Sequence, residues 1–358
     1  MAERVVVAMS GGVDSSVTAA LLKKRGYDVI GVTLRLWEEP SSCQIENEKA
    51  CCSLSNVDDA KAVASILGIP HYTLDFRQIF QQDVIDYFVQ SYAKGQTPNP
   101  CIACNRYIKF GLLWEKAAQL GADYLATGHY ARVAWNEERG LYELHRGADH
   151  HKDQSYVLYQ LTQALLPHVM FPMADLEKSQ TRELAREFGL PVFNKAESQD
   201  ICFIPDNDYK RFLQERIPKS FRPGDFVDQA GHVVGRHKGI PCYTIGQRRG
   251  LNLGGPGGAL YVTSLDIPHN RVVVGPGEAL FTKTVAAQDV SWVEWDHCSE
   301  PFRALGKIRY AAKEGPCLVR PEGNHIFVEF DEPQRAVTPG QALVLYDGDR
   351  VLGGGVIS

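Results

Sequence analysis

The residues best suited to chemistry stand near the start of the chain, in the stretch 9–16 (MSGGVDSS), called here the glycine loop. It follows the apolar run 5–8, which is typical of a buried strand, and precedes a segment whose apolar residues share one helix face. Two glycines let the backbone approach an anion closely, and a helix N-terminus supplies unpaired N–H groups and partial positive charge. Ser10, Ser15 and Ser16 add hydroxyl donors. The stretch therefore predicts a site for phosphate groups.

The glycine loop lacks the lysine of the G-x-x-x-x-G-K-[ST] motif, since the first lysine of the chain is Lys23. Backbone, hydroxyls and one carboxylate suit a pyrophosphate that is cleaved off, and Asp14 could hold the Mg²⁺ that accompanies a nucleotide. The spacing S-G-G-x-D-S resembles the PP-loop of ATP pyrophosphatases, which adenylate a substrate and release pyrophosphate. The alternative is an ordinary glycine turn with a serine cap.

Cysteines form the second chemical feature. Cys101-x-x-Cys104 and Cys202 are predicted in loops beside the same sheet edge as the glycine loop. A single C-x-x-C fits redox, zinc or structural use, and without a second C-x-x-C or an H-x₃-H a four-ligand zinc site is not favoured. A cytosolic disulfide here would be transient and catalytic. An adenylating site beside two separated thiols predicts sulfur transfer, in which a persulfide displaces AMP and a second thiol resolves it.

The elements around these residues alternate between strand and helix, which predicts a parallel sheet with the first strand in the middle and ligands at the carboxyl ends of the strands. Residues 95–105 and 197–203 are interpreted as cysteine-bearing loops, the second of them mobile, and 131–146 as a hairpin. Expected strands are 5–8, 28–36, 72–76 and 124–129; expected helices lie near 56–67, 79–92, 109–120, 158–165 and 180–188.

Beyond residue 205 the periodicity changes to a short helix, a hairpin at 226–235 and then short β-like runs separated by Gly, Pro and Asp. Such spacing predicts a small β-barrel at the end of the chain. The expected domains are a catalytic domain at 1–205, a small central domain at 206–280 and a C-terminal β-barrel at 281–358.

Composition bounds the function classes. The 358 residues are 44% hydrophobic and 23% charged, which is ordinary for a globular protein. No apolar run approaches the ~18 residues of a membrane span, and no signal peptide is recognised, so the nine cysteines are interpreted as reduced thiols of a cytoplasmic protein. The net charge of −5 argues against a simple nucleic-acid binder, but 229–265 and 303–313 carry cations and no acid. These stretches suit phosphate contact, or a solvated charged face.

Taken together, the motifs resemble the tRNA-specific 2-thiouridylases, which thiolate the wobble uridine of certain tRNAs at carbon 2. The resemblance covers nearly the whole chain and rests on A-M-S-G-G-V-D-S-S, T-P-N-P-C-x-x-C-N-x-x-I-K-F, A-T-G-H-Y-A-R, K-D-Q-S-Y, S-Q-D-I-C-F, Y-T-I-G-Q-R-R-G and K-I-R-Y. It implies an α/β fold: an N-terminal PP-loop domain with a Rossmann-like parallel sheet, a small, mostly β central domain that contacts tRNA, and a C-terminal β-barrel that binds tRNA.

The resemblance also implies roles for individual residues. Cys104 would be the nucleophile, Cys202 would carry the persulfide, and Asp14 would serve adenylation. ATP would contact Ala8, Met9, Ser10, Gly11, Gly12, Val13, Asp14, Ser15, Leu34 and Gly128. The target base or tRNA would contact Asn99, Pro100, Cys101, His129, Lys152, Asp153, Gln154, Arg309, Tyr310 and Gln341.

Cys101 departs from family members that carry an aspartate at this position, which puts an acid or base role there in doubt. Cys101, Cys104 and Cys202 could instead ligate a [4Fe-4S] cluster, as in related thiolases. The expected partners are tRNAs of the Lys, Glu and Gln acceptor type and a persulfide donor such as a cysteine desulfurase or sulfur relay protein, with no membrane. Two other readings stay open: an adenylating amidotransferase or ligase acting on a small carboxylate, and a non-catalytic RNA-binding protein.

Overall fold

The computed structural model describes residues 2–37, 54–196, 201–253 and 258–358. Cys43, Cys51 and Cys52, and residues 197–200 of the predicted second cysteine loop, lie outside the described residues. Among the described residues, no helix combines the length and apolar character needed to cross a bilayer.

The N-terminal part is a parallel sheet covered on both faces, as expected. Its strands are β1 (Arg4–Ala8), β2 (Asp28–Arg35), β3 (His71–Asp75), β4 (Tyr124–Ala126) and β7 (Val169–Met170), in the order β3-β2-β1-β4-β7. The prediction that β1 lies in the middle is confirmed. Alternation within β1 explains its position, because Val6 belongs to one hydrophobic core and Val5 and Val7 to the core on the opposite face.

Six helices accompany the strands in the described part of the chain. They are α1 (Val13–Lys24), α2 (Leu54–Leu67), α3 (Arg77–Phe80, π-helical Gln81–Asp86 and Tyr87–Ala93), α4 (Pro100–Ala103, π-helical Cys104–Leu113 and Trp114–Gln119), α5 (Lys178–Glu187) and α6 (Tyr209–Arg216). Short 3₁₀ turns occupy Ser155–Leu158, Leu166–His168, Pro218–Ser220, Ile240–Cys242 and Gly277–Leu280.

Two local predictions are wrong. Residues 100–105 are not a loop, because Pro100 starts α4 directly after Asn99, whose side chain caps it. No α-helix forms over 158–165, where the Gln163 side chain instead bonds the backbone of Tyr142 and Val293. The described end of the second cysteine loop, residues 201–203, has no helix or strand, as predicted, and the side chain of Phe203 is buried.

The second sheet contains the predicted hairpin. Its strands are β8 (Gly224–Val227), β9 (Val233–His237), β10 (Tyr261–Asp266) and β11 (Arg271–Gly275), in the order β10-β11-β8-β9. β8 pairs with β9 and β10 with β11 in antiparallel fashion, and β8 and β11 are parallel.

The C-terminal part is a closed six-stranded barrel, which confirms the predicted fold class. The strands are β12 (Phe281–Trp292), β13 (Phe302–Lys307), β14 (Gly315–Glu322), β15 (His325–Arg335), β16 (Ala342–Asp347) and β17 (Arg350–Ile357), closed by pairing of β12 with β17. The hairpin of β5 (Ala131–Asn136) and β6 (Leu141–Arg146) extends this sheet, since β6 pairs with β17. A hairpin from the middle third of the chain is thus hydrogen-bonded to the barrel.

Candidate active site

The glycine loop connects the carboxyl end of β1 to α1. Gly11 has φ +71°, a region that L-residues rarely adopt, and a Cβ there would lie 2.2 Å from the carbonyl oxygen of Asn56. Ser15 Oγ accepts from the backbone N–H of Ser10 at 3.1 Å, which closes the loop on itself. The loop is therefore a tight backbone turn held by a serine hydroxyl at a helix N-terminus, a geometry that suits an anion.

Asp14 does not stand alone in this site. The Nζ of Lys178, at the start of α5, lies 2.6 Å from its Oδ1, and the hydroxyl of Tyr130 donates to the same oxygen at 3.0 Å. Thr181 holds that hydroxyl in turn, at 2.9 Å. Sequence reasoning missed Lys178 and Tyr130, because nothing in the local pattern joins residues 164 positions apart.

Lys195 is a second lysine that holds the glycine loop. Lys195 Nζ donates to the carbonyl oxygen of Gly11 at 3.1 Å and forms an ion pair with Asp59 and a hydrogen bond with the Asn56 side chain. The glycine loop thus obtains from two distant lysines the positive charge that its own sequence lacks.

One cavity of about 330 Å³ joins the phosphate site to the thiols, and it is called here the thiol cavity. The predicted residues that line it come from six separate segments. They are Ala8, Met9, Ser10, Asp14 and Ser15; Leu34; Pro100, Cys101 and Cys104; Gly128, His129 and Gln154; and Cys202. Gly11, Gly12 and Val13 shape the loop without lining the cavity.

Cys101 and Cys104 both lie in the first turns of helix α4. The side-chain oxygen of Asn99 accepts from the backbone N–H of Cys101 at 3.0 Å, and Pro100 occupies the first helical position. Cys101 is exposed and Cys104, one turn further, is buried. Residues three apart share a helix face, so both side chains reach the same cavity.

Cys202 reaches this cavity through its neighbour Phe203. The Phe203 ring packs edge-on against Phe80 and Phe88, with centroids 5.8 Å and 5.4 Å apart. These contacts anchor the backbone beside Cys202, which lines the same cavity as Cys101 and Cys104. Within residues 2–37, 54–196, 201–253 and 258–358, no group of three or more His, Cys, Asp or Glu side chains is arranged to hold a metal ion.

Gly128 and His129, which directly follow β4, also line the thiol cavity. A Cβ on Gly128 would lie 2.9 Å from the backbone nitrogen of Ser15, so only glycine lets β4 approach the glycine loop this closely. His129 follows it, bonded to the Thr127 hydroxyl at 2.6 Å. Burial, and then the charge of Lys109, hold the pKa of His129 well below its usual range, so the ring is neutral near pH 7.

The other residues expected to contact RNA lie outside the thiol cavity. Asp153 is 7% exposed and accepts from the N–H and hydroxyl of Ser155, while its carbonyl accepts from the Tyr310 hydroxyl at 3.0 Å. Arg309 donates to the carbonyl of Arg335, and Gln341 donates to the carbonyl of Thr97 at 2.7 Å. The contacts of Tyr310 with Asp153 and of Gln341 with Thr97 tie these segments to the barrel, whereas Asn99 caps α4 and Lys152 lies next to Asp153 in the sequence.

A glycine loop after the first strand of a parallel sheet shares one cavity with three cysteines, an arrangement that suits an enzyme using a nucleotide together with thiols. The sequence matches the families described as tRNA methyl transferase HUP domain over residues 3–206, tRNA methyl transferase PRC-barrel domain over 210–276 and aminomethyltransferase beta-barrel domain over 282–357.

Curated relatives identify the family. The tRNA-specific 2-thiouridylase MnmA of Heliobacterium modesticaldum is 53% identical over 100% of this chain and 93% of its own length. The proteins of the same name from Carboxydothermus hydrogenoformans and Magnetococcus marinus are each 51% identical over 99% of this chain, and over 97% and 99% of their own lengths. The chain belongs to the tRNA-specific 2-thiouridylase family.

Proposed function

We propose that this chain uses ATP to convert the wobble uridine of tRNA to 2-thiouridine. The single observation that carries the proposal is the thiol cavity, which joins the glycine loop to Cys101, Cys104 and Cys202. Relatives that are 51–53% identical over 99–100% of this chain support it. An amidotransferase or ligase acting on a small carboxylate would give three cysteines no task in that cavity.

The phosphate side carries the adenylation. The C2 oxygen of the uridine attacks the α-phosphorus of ATP, the bond to the β-phosphate oxygen breaks, and pyrophosphate leaves. Backbone N–H groups of the glycine loop and the charge of Lys178 stabilise the negative charge that develops there. Asp14, as one carboxylate beside a phosphate site, fits the usual protein contribution to Mg²⁺, which supplies further charge neutralisation when bound with the nucleotide.

The thiol side carries the sulfur. The terminal sulfur of a persulfide on Cys202 attacks C2 and AMP leaves, which forms a C2–S bond to a disulfide. The thiolate of Cys104 then attacks Cys202 Sγ, so the product sulfur departs with its electron pair as 2-thiouridine and a Cys104–Cys202 disulfide remains. An external dithiol reductant restores the two thiols.

A [4Fe-4S] cluster does not fit the described arrangement of Cys101, Cys104 and Cys202, since no set of three ligands converges there. We therefore derive no step through a cluster. Iron and sulfide analysis of anaerobically purified protein tests this directly: iron-free protein with full activity is the expected result, and activity that scales with bound iron would contradict it.

The finer features of the proposal concern partners and cellular location. Tyr310 is 45% exposed and stands with Arg309 on the barrel side, a suitable position for RNA phosphates and bases. We propose tRNAs of the Lys, Glu and Gln acceptor type as substrates, a cysteine desulfurase or sulfur relay protein as persulfide donor, and the cytoplasm as the site of action.

The decisive experiment is mass spectrometry of nucleosides from tRNA incubated with the protein, ATP, Mg²⁺ and a persulfide donor. We expect 2-thiouridine only when ATP and tRNA are both present, with one pyrophosphate released per thiolation. Pyrophosphate release that needs no tRNA would favour the ligase alternative. Absence of pyrophosphate release under all conditions would favour a non-catalytic RNA-binding protein.

A further inference from the structure

Helix α4 presents two faces to two different cavities. Cys101 and Cys104 line the thiol cavity, whereas the opposite face of the helix lines a second cavity of about 470 Å³, called here the rear cavity. The far wall of the rear cavity is the barrel, including Asp289 and Gly340. The helix that carries the thiols is therefore separated from the barrel by open space over part of its length. The helix residues that line the rear cavity are Asn99, Ile102, Ala103, Arg106 and Tyr107.

Discrete polar links cross this gap. Arg106, two residues after Cys104, pairs with Asp289 of β12 at 2.5 Å. Just before the helix, the backbone N–H of Thr97 donates to the carbonyl of Pro339 at 2.8 Å, and its carbonyl accepts from the Gln341 side chain at 2.7 Å. The segment that bears the thiols is thus attached to the barrel on both sides of Cys101 and Cys104.

The barrel departs from regular geometry at both attachment points. Gly340 has φ +91°, and a Cβ there would lie 2.8 Å from the Thr97 nitrogen. Asp289 has φ +52° and stands where the register of β12 against β17 shifts between Gln288 and Ser291. A β-bulge re-aims a side chain out of the regular alternation, and here it directs Asp289 to Arg106.

We propose that Arg106 and Asp289 are positioning residues that hold α4 in the register that sulfur transfer requires, so that the barrel governs sulfur transfer but not adenylation. This inference rests on the proposed function. The physical reason is that the glycine loop has its own braces, Lys178 and Lys195, which belong to the parallel-sheet part. Cys104 must meet a sulfur held on a different segment, and small misplacements of reacting groups are costly.

The test separates the two half-reactions. Asp289→Asn removes the charge with a residue that tolerates the same backbone conformation, and Arg106→Gln removes the partner. In single turnovers of enzyme loaded with persulfide, we expect each variant to lower 2-thiouridine formed per pyrophosphate by about three- to tenfold, with pyrophosphate release unchanged. The double variant should be no worse than either single variant, and Arg106→Lys should restore most of the yield.

A matched control is Glu329→Gln, which breaks the ion pair of Arg320 with Glu329 within the barrel. The side chains of Arg320 and Glu329 are 45% and 54% exposed, close to the 34% and 47% of Arg106 and Asp289. An unchanged ratio in the Asp289 and Arg106 variants, an equal fall in both half-reactions, or the same fall in the control would each overturn the proposal.

A second measurement does not depend on the reaction. Alkylation of Cys104 by iodoacetamide, followed by peptide mass spectrometry of the protein alone, reports how firmly α4 is held. We expect Asp289→Asn to accelerate it by about three- to tenfold and Glu329→Gln to leave it unchanged. If the protein without substitutions forms no 2-thiouridine, the proposed function fails. If Asp289→Asn does not change the alkylation rate of Cys104, the positioning role fails, whatever the outcome for the proposed function.

Discussion

The two walls of the thiol cavity are built in different ways. The phosphate wall is one contiguous motif on the central strand, closed by its own serine and braced by Lys178 and Lys195. The thiol wall combines α4 and the segment around Cys202, which lie about a hundred residues apart in the sequence and meet only through tertiary packing. The phosphate wall is therefore built around one contiguous motif that distant lysines brace, while the thiol wall exists only through the assembly of two separate segments.

The largest expected effects come from removing a thiol of the thiol wall. Cys104→Ser and Cys202→Ser should each lower 2-thiouridine formation by about 10³-fold or more, because an alcohol neither carries a persulfide nor resolves one. Pyrophosphate release with tRNA should persist, since both residues stand on the thiol wall. Nucleoside mass spectrometry and a pyrophosphate assay on the same sample measure the two outcomes. Cys317→Ser, at a buried barrel cysteine remote from the cavity, is the control. Full turnover in Cys202→Ser would remove the two-thiol mechanism.

Lys178 provides the next largest effect, on the opposite wall. Lys178→Met should slow tRNA-dependent pyrophosphate release by about 10²-fold, because the charge beside Asp14 stabilises the departing phosphates. Persulfide loading of Cys202, followed by mass spectrometry of the intact protein, should be unaffected. The exposed Lys116, which contacts only the side chain of Gln119 at 3.4 Å in its own helix, gives the control Lys116→Met. Equal losses of loading and pyrophosphate release would show that the two walls are not independent.

This difference between the walls also decides what could be predicted from the sequence. The position of β1, the parallel sheet and the barrel each follow from a contiguous pattern and are confirmed, and the glycine loop connects β1 to α1 as its pattern predicts. Lys178 and Lys195 could not be predicted, because each reaches the glycine loop across more than a hundred residues and stands in an ordinary surface-type sequence.

The start of α4 could have been recognised. Asn99 followed by Pro100 is the standard N-cap and first-turn pair, but two prolines within 98–100 favoured a loop instead. The pairing of β6 with β17 was out of reach, since a hairpin pattern contains no information about which sheet its outer edge will join. Many residues that line the thiol cavity could thus be predicted from the sequence, whereas the lysine contacts to the glycine loop and the pairing of β6 with β17 could not.

A smaller effect tests the rigidity of the phosphate wall with a pair of glycines. Gly11 and Gly26 both have positive φ, but a Cβ on Gly11 meets Asn56 at 2.2 Å whereas one on Gly26 meets nothing within 4 Å. Gly26→Ala should therefore cost about 1 kcal/mol of stability through backbone strain alone. Gly11→Ala should cost about 2–3 kcal/mol and weaken ATP binding by at least about tenfold. Urea denaturation and calorimetric titration with a non-hydrolysable ATP analogue measure both. Equal costs at the two positions would contradict the close approach to Asn56.

The smallest expected effect concerns His129, at the border between the walls. Burial and Lys109 lower its pKa below the usual 6.5, so below that pH the unfolded chain binds a proton that the folded protein does not. The free energy of unfolding therefore falls as pH falls, by about 1 kcal/mol between pH 7.5 and pH 5.5 from this residue. His129→Gln should reduce the pH dependence by that amount. His71 and His237, whose pKa values burial also lowers, remain in both proteins, so the difference between the two urea-denaturation series isolates His129. An unchanged slope would mean that the folded protein and the unfolded chain protonate the ring alike, so that burial does not keep His129 neutral.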